Sequence, residues 1–68
     1  MDKQSIEYLQ DVLISIHENL HELHDRKAFA DPEELGHIEG KIQAYQEVLA
    51  ILKMSADEFQ ISRGEIGL

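Results

Sequence analysis

The chain has 68 residues, no Cys and a formal net charge of −8. That length admits one domain, and a domain this small buries only about 60% of the surface its unfolded chain exposes. Disulfides and thiolate metal sites are excluded, and the acidic balance argues against direct binding to nucleic acid or an anionic membrane, both of which need a positive face.

The opening stretch MDKQSIEYLQD lacks the basic start and apolar core of a signal peptide. No apolar run approaches the length of a membrane span, so a cytoplasmic location is expected. The first long element is a helix over about 3–29. Ile6, Leu9, Leu13, Ile16, Leu20 and Leu23 recur at spacings of 3, 4, 3, 4 and 3, which is an a/d heptad seam. No Gly or Pro interrupts it.

The same helix carries the stretch HENLHELHD, from His17 to Asp25. Its first five residues, His17 to His21, match the H-E-x-x-H of zinc metalloproteases. Two imidazoles one turn apart can hold a divalent metal, with Glu as general base. A hydrolase also needs a third protein ligand and a substrate cleft, and a chain this short has room for neither. The metzincin continuation fails too, because His24 stands where its Gly belongs. A helix rich in His and Glu produces this pattern by chance. No enzyme, no catalytic residue, no cofactor and no metal ligand is therefore assigned. A non-catalytic metal site remains an alternative. It would use His17 with His21, or His21 with His24, together with Glu18 or a symmetry mate, and His37 would approach His24 across the hairpin. Solvated histidines flanking the seam are the plainer reading. Histidines gathered at an interface would charge and loosen it on acidification.

AFADPEEL breaks the helix. Asp31 is placed to cap the next one with its carboxylate, and Pro32 suits the first helical position. Glu33 and Glu34 face the positive end of the helix dipole, with Glu34 positioned for a capping box. The second helix is expected over about 32–54. Leu35, Ile38, Ile42, Tyr45, Leu49 and Leu52 repeat the 3, 4, 3, 4, 3 spacing. Two such helices with a short connection pack antiparallel. Gly36, Gly40 and Ala44 form a ridge of small residues, which means either close approach of another backbone or glycines tolerated near the helix start. Tyr8 and Tyr45 read as packing residues with wet hydroxyls.

The tail, 55–68, is ambiguous. Ser55 and Glu58 have the spacing of a second capping box, so a short helical turn starting at Ala56 is one reading, with Phe59 continuing the heptad register. An extended strand, a weak hairpin or a frayed end are others.

The fold class is thus all-α: an antiparallel two-helix hairpin with coiled-coil-like heptads, a short helical turn or extended tail, and dimerisation into a four-helix bundle. Apolar residues off the seam motivate the last step. Tyr8, Val12 and Ile14 lie in the first half of helix 1, and Ala44, Val48 and Ile51 in the second half of helix 2. Antiparallel packing sets these halves side by side at the open end. A second copy, the tail residues Phe59, Ile61 and Ile66, or a foreign protein must cover them. A homodimer is the first choice, with Tyr8, Val12, Ile14, Gly36, Gly40, Ala44, Val48, Ile51 and Phe59 as its interface.

The acidic two-helix outline resembles small bacterial regulators such as sporulation phosphatases and kinase inhibitors. The Ser-Gln-Glu-Leu-Asp signature of those phosphatases has no match in GHIEGKIQAYQEVL, so no residues are carried over. The expected function is a non-enzymatic, self-associating protein that acts through protein–protein contacts, with a regulatory role as one form of it. A metal-binding helical protein and an acidic mimic that blocks a nucleic-acid-binding protein are the alternatives.

Overall fold

The heptad spacing produces two long helices, α1 over Lys3–Lys27 and α2 over Pro32–Glu58, followed by a single turn, α3, over Arg63–Ile66. The computed structural model describes residues 1–68 and contains no strand. α1 and α2 pack against each other as a hairpin. All twelve seam residues are buried or half-buried, from Ile6 to Leu23 on α1 and from Leu35 to Leu52 on α2. At the turn end Leu23, Ile38 and Ile42 form one cluster. At the open end Leu13, Leu49, Ala56 and Ile66 form another, and Leu20 packs against both. No helix is long and apolar enough to cross a membrane.

Helix starts differ in how they are capped. Asp2 begins α1: its Oδ1 accepts from the Ser5 backbone N–H at 2.8 Å and its Oδ2 from the Ser5 hydroxyl at 3.1 Å. These bonds to the charged form hold the Asp2 carboxyl below its ordinary pKa. Asp31 stands at the N-cap of α2 as expected, but its carboxylate makes no capping bond. Instead its backbone carbonyl accepts from Glu34 and Leu35 N–H at 2.9 and 3.0 Å. Pro32 and the acidic first turn carry the start of α2, so the expected side-chain cap is corrected. α1 stops at Lys27 rather than about 29, and Ala28 and Phe29 close a tighter turn onto Asp25 and Arg26.

The end of α2 departs most from expectation. The helix does not stop at about 54, and Ser55 does not start a new one. Ala56 continues the seam spacing and is buried, so the helix runs on to Glu58. Gln60 then takes a left-handed conformation, φ 59°. Its N–H donates to the Asp57 carbonyl at 3.1 Å and the Ile61 N–H to the Ala56 carbonyl at 2.8 Å. This is a Schellman stop, and Ile61 packs on the cluster containing Ala56. Phe59, expected in the seam, is the C-cap and stays exposed.

The Schellman stop turns the chain back along the hairpin. Ile66 becomes 4% exposed, and Ile61 and Leu68 pack beside it. Two polar contacts fix this return. Gln10 Nε2 donates to the Glu65 carbonyl at 2.9 Å, and Arg63 donates two hydrogen bonds to the Asp57 carboxylate. Gly67 ends α3 at φ 92°, a conformation that glycine adopts without strain. The tail is therefore a short helix docked on the core, and the extended and frayed readings do not hold. The result is long and thin, with extents of 45 × 20 × 13 Å and a radius of gyration of 14.4 Å, against about 11 Å for a compact chain of this length.

Two predictions follow from the tail. A left-handed residue other than Gly costs roughly 1–2 kcal/mol. Gln60→Gly should therefore raise unfolding stability by about 1 kcal/mol, read from the urea midpoint; an unchanged or lower midpoint contradicts this stop. The Arg63 guanidinium holds the Asp57 carboxyl below the usual carboxylate range. A depressed folded pKa stabilises above the unfolded value, about 3.9, and the gain is lost as pH falls through the lower folded value. The Ile66 methyl resonance should thus keep its docked shift at pH 6 and move only slightly toward the undocked one in that acid window. Asp57→Asn should remove that part of the acid response.

Candidate functional site: the uncovered face of the hairpin

With about 3.6 residues per turn, each long helix has a seam and two flanks. On α1, Tyr8, Val12, Asn19 and Arg26 fall on one flank; Gln10, His17, His21 and His24 fall on the other. Gln10 is the residue that holds the Glu65 carbonyl, so α3 lies on the Gln10 side. The opposite face of the hairpin keeps no cover from its own chain.

That uncovered face is continuous across both helices. Asn19, Glu22, Leu23 and Arg26 of α1 line one open depression together with Lys41 and Tyr45 of α2. Lys41 and Tyr45 also line the next depression along, with Ala44 and Val48. Asn19 Nδ2 donates to the Tyr45 hydroxyl at 3.1 Å, so Tyr45 is half-buried with a partnered hydroxyl. Tyr8, read as a packing residue, is instead 68% exposed. Toward the open end the face becomes apolar: Tyr8 and Val12 on α1, and Ala44, Val48 and Ile51 on α2, all exposed. Asp2, Gln4 and Ser5 share a depression with Tyr8 at its far end.

The expected interface residues thus divide. Tyr8, Val12, Ala44, Val48 and Ile51 come together on this face, whereas Phe59 is exposed beside Ile61 and Ile66 of the tail. Ile14 lies on the other flank of α1. Gly36 and Gly40 lie on α2 toward the turn end, where an added Cβ would meet nothing within 4 Å; no backbone of this chain approaches them. Sequence reasoning missed Arg26 and Lys41 as members of one site. They are 15 residues apart in the chain, and only the antiparallel register brings them to one depression. It also missed Phe29, 90% exposed in the turn.

The histidines do not assemble a site within the chain. His17, His21, His24 and His37 are all exposed. His21 Nε2 lies 3.4 Å from Asp25 Oδ2 on the surface. No three His, Asp or Glu side chains come together in a geometry that would hold a metal ion. Lys27 Nζ lies 3.7 Å from Glu39 Oε1 across the turn end.

No protein-family model, curated protein or solved structure matches this chain.

The glycines provide a direct test of where the face ends. Gly costs about 1 kcal/mol relative to Ala inside a helix. Gly36→Ala and Gly40→Ala should each raise stability by about that amount and leave the solution mass unchanged. A loss of mass on either substitution would show that a second backbone does approach the ridge.

Proposed function

We propose that this is a non-enzymatic interaction protein that self-associates through the uncovered face, placing two hairpins together as a four-helix bundle. The observation that supports this is the surface itself. A compact monomer of 7.8 kDa exposes about 4,400 Å² by the scaling of surface with mass. This chain exposes 5188 Å². The excess of about 800 Å² is what each partner contributes to a standard interface. A 45 × 20 Å face has a footprint of about 900 Å², in the same range. Only seven residues are buried, so further burial is the available source of stability for a domain this small.

The position of α3 favours a closed pair over a chain of copies. It occupies one side of the hairpin, leaving a single extended apolar face. One such face meeting its own copy forms an isologous, two-fold contact that ends at two. The charge of −8 keeps the assembled bundle soluble, and the ends of the bundle, including Phe59 and Phe29, would be left to meet other proteins.

Val48 and Val12 lie beside the seam at the middle of the face, so a carboxylate there would be desolvated on association. Val48→Asp should reduce the associated form at least tenfold, read by light scattering across a concentration series, while far-ultraviolet circular dichroism keeps its helical shape. Met54→Asp, on the other flank and 71% exposed, should leave association unchanged. Equal effects of the two substitutions would refute the assignment of the face.

A further inference from the structure

We infer that α1 carries an open half-site for a divalent transition-metal ion, in which His17 and His21 supply two imidazoles and donors from outside the chain complete the shell. This goes beyond the self-association proposed above and does not depend on it, because these histidines lie on the flank of α1 away from the uncovered face.

The helix sets the spacing. His17 and His21 are four residues apart within α1, so one stands a turn beyond the other on the same side. α1 runs unbroken from Lys3 to Lys27 without Gly or Pro, so a rigid element carries both rings. The next pair at this spacing shows how near such side chains come on this flank. His21 Nε2 stands 3.4 Å from Asp25 Oδ2. Two ligand atoms about 2.0–2.1 Å from a tetrahedral ion are roughly 3.3 Å apart. A four-residue step on this flank therefore reaches chelating separation. His17 and His21 are both exposed, so an ion reaches them without displacing a packed side chain.

Charge and ligand type select the ion. Between Lys3 and Arg26, α1 holds no Lys or Arg and has the carboxylates Glu7, Asp11, Glu18, Glu22 and Asp25. That field draws a dication toward the helix. Imidazole suits zinc, copper and nickel, whereas magnesium and calcium take oxygen ligands. The chain has no Cys, so no thiolate competes for the ion. No third ligand of this chain joins the pair. Structural and catalytic zinc centres take four and three protein ligands, so this ion is neither. It keeps open positions for water or for a donor on another molecule.

The test is a titration of the full chain with zinc alone, followed by calorimetry and by the ring resonances of the histidines. The expected result is saturable binding of one ion per chain, with the His17 and His21 resonances moving together and that of His37 unmoved. His17→Gln and His21→Gln should each weaken binding roughly tenfold or more. His24→Gln and His37→Gln, at equally exposed positions, should leave it nearly unchanged. All four are surface changes, so far-ultraviolet circular dichroism should keep its helical shape. Val48→Asp, which tests self-association, should bind zinc as the unmodified chain does. Equal losses for all four histidine variants overturn the half-site, because they show diffuse attraction to an acidic surface. Binding that never saturates overturns it as well, since it shows an adventitious ion only. A chain that stays at monomer mass and still binds zinc through His17 and His21 removes self-association and leaves the half-site standing.

Discussion

A hairpin of two helices shares one seam, and that seam leaves two flanks for the chain to protect. This constraint governs the rest of the structure. Twelve seam residues meet between α1 and α2, yet only six residues of the hairpin reach full burial. A further layer adds burial to whichever flank it covers, and the chain has ten residues after α2 to provide one. Those ten residues cover one flank of the open end. The other flank stays exposed.

The covered side shows how little sequence a layer requires when its ends are tied. Ile61, Ile66 and Leu68 supply the apolar contact. The Asp57–Arg63 pair and the Gln10–Glu65 bond supply the direction. An exposed ion pair contributes little stability alone; its role here is to hold a one-turn helix in the place where Ile66 fills the core. The uncovered side has the reverse composition, a broad apolar stretch with charged residues of both signs, Glu22, Arg26 and Lys41, in the depression at its turn end. The first side is covered by its own chain and the second is exposed.

The hairpin was legible because its signals are local. Heptad spacing reports the face of a helix within two turns, and Asp31-Pro32 marks a helix start within two residues. The tail was not legible, for physical reasons that can be named. Its stop uses Gln60 in a conformation usually given to Gly, so no Gly marked the position. Its docking depends on Gln10 and Glu65, 55 residues apart, and on Ala56, whose small side chain did not stand out as core. Ser55 and Glu58 have capping-box spacing, but the buried Ala56 between them keeps the helix going. Of the off-seam apolar residues, Tyr8, Val12, Ala44, Val48 and Ile51 share one exposed face. Ile14 was grouped with them by proximity in sequence, and helical phase turns it to the other flank. Arg26 and Lys41 could be joined only once the antiparallel register was known. The H-E-x-x-H stretch is a reminder that a motif needs its context: its two histidines share a helix surface that no third ligand reaches.

The central claim is that the uncovered face is closed by a second copy of the chain. Sedimentation equilibrium of the unmodified protein over a wide concentration range tests it most directly. The account predicts a mass rising to twice the 7.8 kDa of the chain and no further. A constant mass of one chain, with helical structure intact, would contradict it and show that the docked α3 is all the cover this hairpin needs.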